Sequence, residues 1–110
     1  MTTKYVQPGN VIDYVNGGTA RSAGQIILMG ARIGVCLDAI AANATGAVQT
    51  LGVFTIAKLS TDDMSTQGTA VYWDNTNNRV TLTSAGNTAC GYVFKPAAAS
   101  TTTVDISINA

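Results

Sequence analysis

Apolar and polar residues alternate along most of this chain with a period of two, the spacing of half-buried strands. The alternation is clearest between Gly68 and Thr83. With Asn75 to Asn78 as a four-residue loop, Asp74 faces Arg79, Trp73 faces Val80, Tyr72 faces Thr81 and Val71 faces Leu82. Val71, Trp73, Val80 and Leu82 then share a core face, and Tyr72, Asp74, Arg79 and Thr81 share the opposite one. A slip of one residue breaks both sets, so pattern and turn length agree on a single hairpin. The Asn-rich loop suits turn and left-handed conformations. The Asp74–Arg79 pair that closes the ribbon reads as a solvent-exposed ion pair worth at most about 1 kcal/mol.

Shorter signals flank this hairpin. Tyr5 to Gly9 reads as an extended piece ended by Pro8-Gly9, and Val11 to Val15 as a strand. Asn16-Gly17-Gly18 after it is a hairpin signal. Gln25 to Met29 is apolar on both faces, as in a strand buried on two sides. Arg32 to Asp38 alternates again. Asp38 to Ala44 has the make-up of a helical turn capped by Asp38. Ala47 to Ala57 is a long extended run kinked near Gly52. Ser60 to Ser65 resembles a capping box, with Ser60 as N-cap and Asp63 three residues on. Ala89 to Lys95 and Val104 to Asn109 complete the strands, separated by Pro96 and a small-residue loop. About nine short strands with at most one or two helical turns predict an all-β fold, a compact β-barrel or β-sandwich.

Composition narrows the function. At 110 residues the chain reads as one domain, residues 1–110, with residues 1–8 as an N-terminal arm. Apolar residues make up 46% of it, but alanine supplies many of these, so the core gains less from burial and help from an oligomer is expected. Charged residues are only 11%, about half the usual share, and the formal net charge is zero. Such a surface is suited to lying against other protein. Lys4, Arg21, Arg32, Lys58, Arg79 and Lys95 are scattered, which argues against nucleic acid as a partner. The most apolar stretch, Ile26 to Leu37, is too short and too broken to span a membrane. The first residues have no apolar core of a secretory signal, which predicts synthesis in a cytoplasm. In that reducing setting Cys36 and Cys90 read as packing residues, with a bridge as the alternative.

Catalytic groupings are not visible in the sequence. There is no histidine, and every acid is Asp. Asp62-Asp63 is the one adjacent carboxylate pair, and capping is the favoured reading over a metal or catalytic one. Gly86 to Gly91 lacks the lysine of a phosphate-binding loop and reads as a turn before a strand. No nucleophile elbow is present. The expectation is a protein that is not an enzyme and carries no cofactor or metal. Trp73 reads as core, with an interface anchor as its second reading, and Tyr72 on the opposite face is the better contact candidate.

In this order the motifs resemble a family of small phage capsid cement, or head decoration, proteins. The resemblance is carried by Gln7-Pro-Gly-Asn-Val-Ile-Asp-Tyr14, Gly34-Val35, Ala44-Thr-Gly46-Ala-Val48 and Gly52-Val-Phe54 with Lys58. It continues through Gly68, Val71-Tyr-Trp-Asp74, Val80-Thr81, Gly86-Asn87, Gly91-Tyr92 and Val104 to Asn109. Members have carried a recombinase-ATPase label, against which the missing phosphate-binding lysine motif argues here. The resemblance implies a decoration protein of the virion that binds major capsid protein on the outside of an expanded icosahedral head. It further implies a homotrimer at three-fold and quasi-three-fold positions, stabilising the head against internal pressure. The family's motifs read as structural, so contacts are assigned from this chain alone: Thr2, Thr3, Lys4 and Tyr5 to capsid, and Tyr72, Asp74 and Arg79 to neighbouring subunits. A tail or baseplate part and a surface glycan-binding module are the alternatives, and an aromatic content of 6% disfavours the glycan module.

Overall fold

The computed structural model describes residues 9–109. Among them are nine strands in two antiparallel sheets, and no helix. The first sheet has four strands in the order β1 (Val11–Val15), β4 (Thr45–Gln49), β3 (Arg32–Cys36) and β2 (Ile26–Met29). The second has five, in the order β5 (Val53–Ala57), β9 (Thr103–Ile108), β8 (Thr88–Lys95), β6 (Ala70–Asp74) and β7 (Arg79–Thr81). The extended run from Ala47 to Ala57 is therefore two strands of different sheets. Gly52, at φ 130°, makes the crossing in a backbone region that residues with a Cβ avoid.

The sheets face each other across the main core. Ile33 and Val35 of β3, with Ile26 and Leu28 of β2 beside them, meet Val71, Trp73, Val80, Val93, Val104, Ile106 and Ile108. Strict alternation on β9 sends Val104, Ile106 and Ile108 inward and leaves Asp105 and Ser107 outside. A smaller cluster lies on the far side of the first sheet, where Ile27, Cys36 and Val48 are covered by Ile40. Thus Ile26 and Leu28 pack on one cluster and Ile27 and Met29 on the other, as a run that is apolar on both faces requires. Asn109 fastens the end of β9 to the first sheet. Its Nδ2 donates to the carbonyls of Ile33 (2.7 Å) and Thr50 (2.8 Å), and its Oδ1 accepts from Ile33 N–H (3.2 Å).

The five-stranded sheet curls but does not close. Its two outer strands, β5 and β7, meet through one parallel bridge just beyond β5, between Lys58 and Val80, with Leu59 N–H donating to the Val80 carbonyl at 3.0 Å. A sandwich describes the molecule, and a closed barrel does not. Lys58 at this seam is 4% exposed. Its ammonium donates to the carbonyls of Thr101 (3.1 Å), Leu59 (3.2 Å) and Ala98 (3.4 Å), holding the 98–101 loop over the seam.

The central hairpin has the expected register, with Asp74 opposite Arg79, Trp73 opposite Val80 and Tyr72 opposite Thr81. Pairing stops there, because β7 ends at Thr81. Leu82 packs against the core from outside the strand instead of facing Val71. Thr81, expected on the open face, is 4% exposed because Asp62 closes over it: Asp62 Oδ2 accepts from Thr81 Oγ1 (2.7 Å) and Leu82 N–H (2.9 Å).

Three local expectations give way to longer-range structure. Asn16-Gly17-Gly18 does not fold β1 back on its sequence neighbour; β1 pairs with β4, Ile12 opposite Val48 and Tyr14 opposite Gly46. Ser60 to Ser65 forms a turn and not a capped helix, with Asp62 N–H bonded to Leu59 O at 3.0 Å and Asp63 Oδ1 to Ser65 N–H at 3.2 Å. Asp38 to Ala44 is likewise not helical, since Ile40 exchanges two backbone hydrogen bonds with Arg21 (2.8 and 2.9 Å) to cover the smaller cluster. Partners distant in sequence satisfy the same backbone groups that a helical turn would have satisfied.

Candidate interaction surfaces

Several polar side chains of the described residues hold turns and strands together. Asp62 ties its turn to β7, and Asp105 accepts from Thr55 Oγ1 at 2.6 Å across β5 and β9. Among the described residues no group of three or more His, Cys, Asp or Glu is placed to hold a metal ion, and among them no helix is long and apolar enough to cross a membrane. Cys36 and Cys90 are free, buried thiols belonging to different clusters, so the packing reading holds and the bridge does not. Burial pushes the Cys90 thiol up to about 12. Burial also raises Cys36, with the Arg21 charge opposing. Neither is an activated nucleophile. Gly86, at φ 75°, lies in a turn closed by Asn87 N–H to Ser84 O (3.1 Å), directly before β8, and not in a phosphate cradle.

What the molecule presents to a partner is sheet surface. The first surface is the outer face of the five-stranded sheet. Alternation from the buried Val71 and Trp73 turns Tyr72, Asp74 and Arg79 outward, and all three are half-buried. Asp74 and Arg79 stand opposite one another, yet Asp74 spends its carboxylate on the hairpin loop. It accepts from Asn77 Nδ2 (2.8 Å), Thr76 N–H (3.0 Å) and Asn77 N–H (3.2 Å). The Asn77 amide, more than the Arg79 charge, holds the Asp74 carboxyl below its ordinary value. Arg79 is left with a buried Nε that has no acceptor among the described residues. The expected ion pair is thus a turn clamp, with the guanidinium partly unserved. Tyr92, opposite Ala70 and Ser107, extends the same face.

The second surface is an overhang. Val11 lies opposite Gln49, which lies opposite Val35, so the odd-numbered residues of β1 share the inward face of the first sheet. The packed core stops at Val35. Beyond it Val15 is 74% exposed, Leu37 42% and Val11 39%, with Asp13 the one charge among them. The reverse side of the same strands, Ile12, Tyr14 and Val48, is covered by the Ile40 loop. β1 therefore has apolar residues on both faces but is packed on only one. Its sequence already carried that signal, since Val11-Ile-Asp-Tyr-Val15 has no polar face, but the exposure needs the sheet order to be known. Around the corner, a groove of about 440 Å³ lined by Ile12, Met29 and Leu51 with Arg32 adds further apolar surface. Thr2, Thr3, Lys4 and Tyr5, the expected capsid contacts, lie outside the described residues.

The described residues thus form an all-β sandwich with two open sheet surfaces, one polar around Tyr72 and one apolar around Val15. The family comparison is specific: the model for phage cement proteins matches residues 6–108, nearly the whole chain. The chain belongs to the phage cement protein family, a structural family of the bacteriophage capsid. No curated protein and no solved structure matches it.

Proposed function

We propose that this cement protein binds the outer surface of the expanded icosahedral phage head and stiffens it against internal pressure, as a homotrimer at three-fold and quasi-three-fold positions. The observation that carries the reading is the family match over residues 6–108, together with a chain of which only 11% is charged. Major capsid protein is the partner, and Thr2, Thr3, Lys4 and Tyr5 make the capsid contact. Tyr72, Asp74 and Arg79 face a neighbouring subunit. The outward placement of these three residues on the five-stranded sheet supports that second assignment.

A cyclic trimer joins two different patches of each chain. The outer face around Tyr72 and the overhang around Val15 supply two such patches, which favours a ring over a closed dimer. Several weak contacts to neighbouring capsid subunits then act together through effective concentration. Selective binding to the expanded lattice stabilises that lattice by mass action.

The test is co-sedimentation of the purified protein with heads stripped of it, unexpanded and expanded. Saturable binding to expanded heads alone supports the reading, and equal or absent binding to both forms overturns it. Removing residues 1–4 should abolish binding while leaving the melting curve of the free protein unchanged. Retained binding would remove the arm from the contact.

A further inference from the structure

Asn16 and Gly17 form the single Asn-Gly pair of the chain. In an open chain this pair is chemically labile. Glycine has no Cβ, so its backbone nitrogen is the least hindered and the freest to swing toward the preceding side chain. That nitrogen attacks the Asn Cγ and forms a new N–C bond. The Cγ–Nδ2 bond then breaks, and ammonia leaves with the proton shed by the backbone nitrogen. Solvent water opens the resulting cyclic imide at either carbonyl, leaving aspartate or isoaspartate.

The fold opposes each part of this reaction. Asn16 is 3% exposed. Its Nδ2, the leaving group, donates to the carbonyls of Thr19 (2.8 Å), Ala41 (3.1 Å) and Ile40 (3.3 Å), and its Oδ1 accepts from Arg21 Nε (3.3 Å). The backbone is tied on both sides of the reacting bond, with Asn16 N–H bonded to Ala44 O (2.9 Å) and Asn43 N–H to Gly17 O (2.8 Å). For Gly17 nitrogen to reach Cγ, the 16–21 segment must separate from the 40–44 segment. The same separation lifts Ile40 off Val48 and Cys36.

We propose that Asn16-Gly17 is a fold-gated deamidation site, inert while the 16–21 and 40–44 segments are joined and irreversible once they part. The product has a carboxylate where the amide stood. Three carbonyl oxygens that accepted from an NH₂ would face another acceptor, and only Arg21 offers it a donor. A buried acceptor set against acceptors loses its hydrogen bonds and keeps its desolvation cost. The corner does not re-form, and the cover over the smaller cluster is lost for good. Molecules that open this corner are thereby withdrawn from the pool able to pack as intact sandwiches.

The experiment compares the full chain in native buffer, at mildly alkaline pH and below its melting transition, with the same chain in concentrated urea. Deamidation at residue 16 is followed by peptide mass mapping. The native rate is expected to be slower by on the order of a hundredfold or more, the factor being set by the fraction of molecules open at this corner. Arg21→Ala should raise the native rate, and Gly17→Ala should strongly suppress the reaction in urea. Protein deamidated in urea and returned to buffer should melt lower than Gly17→Ala protein carried through the same steps. Equal rates in buffer and urea would overturn the gating. Recovery of parental melting by the deamidated protein would overturn the irreversibility. If Arg21→Ala does not fold, the comparison of parent protein in buffer and urea decides alone.

Discussion

Lys58→Met tests the seam of the five-stranded sheet. Lysine is rarely buried without a carboxylate beside it, and here the ammonium is held by three backbone carbonyls at 3.1 to 3.4 Å. Two effects oppose each other. Burying the ammonium costs desolvation, and buried ions replaced by apolar residues of similar volume have sometimes stabilised proteins. Against this, hydrogen bonds to a charged group contribute about 1.5–3 kcal/mol each, and a carbonyl left without a donor costs about 1–3 kcal/mol. Methionine keeps the apolar stem and removes the ammonium, but Leu59 O still accepts from Asp62 N–H (3.0 Å) and Ala98 O from Thr101 Oγ1 (2.6 Å), so only Thr101 O is left without a donor among the described residues. The three carbonyls belong to Leu59, Ala98 and Thr101, so two of them lie in the loop that the lysine alone fastens by its side chain. Water can reach part of that loop and recover some of the loss. With one carbonyl bared and the charged bonds partly offset by the desolvation relieved, the net expectation is a destabilisation of about 2 kcal/mol. At this chain length each kcal/mol lowers the midpoint by roughly 4 °C, so the variant should melt about 8 °C below the parent. Trp73, the single tryptophan and 3% exposed, reports the transition by its fluorescence. A Lys58→Met protein that melts at or above the parental temperature would refute the reasoning. The seam would then be held by its backbone bridge, with the ammonium a cost.

Three further outcomes follow from the same geometry. Gly91→Ala should fail to give soluble folded protein or should melt far below the parent by differential scanning fluorimetry: a Cβ built there, at φ 147°, lies 2.0 Å from the Ser107 carbonyl oxygen, and the β8–β9 pairing must break to admit it. Both thiols should resist a soluble alkylating reagent in native buffer and react after unfolding, as mass spectrometry will register. Because Cys90 is raised to about 12 in the fold, its contribution to stability is complete below the ordinary thiol range and should decline as pH climbs from there toward 12. Asp74→Ala should lower the melting temperature at neutral pH by freeing the hairpin loop. The folded Asp74 carboxyl is depressed, so its contribution is present above the ordinary carboxylate range and disappears as pH falls through the depressed value, where parent and variant curves should converge.

The sequence was most legible where several short-range signals agreed. The Trp73–Val80 hairpin has alternating faces, a loop of fixed length and asparagines at the turn, and its register is found as read, Asn78 included at φ 53°. Gly52 was visible as a kink, because a glycine inside a strand pattern marks a bend, although nothing local says that the bend changes sheets. Asn16-Gly17-Gly18 misled for the opposite reason. Its composition is that of a hairpin turn, but the Asn16 side chain is consumed by carbonyls 24 and 25 residues away. Asp62 is a similar case: it lies inside a convincing capping pattern and serves β7, 19 and 20 residues on. The Lys58 cage and the exposed β1 face were not legible. Both depend on which strands become neighbours, and that is decided by pairings distant in the chain.

The most direct measurement of the cement role is the temperature at which expanded heads rupture. Expanded heads stripped of this protein should be heated with and without saturating amounts of it returned, next to unexpanded heads treated alike, and rupture followed by light scattering and DNA release. A higher rupture temperature for expanded heads only, saturating where binding saturates, is the predicted result. Expanded heads that bind the protein fully and still rupture at the unliganded temperature would contradict it.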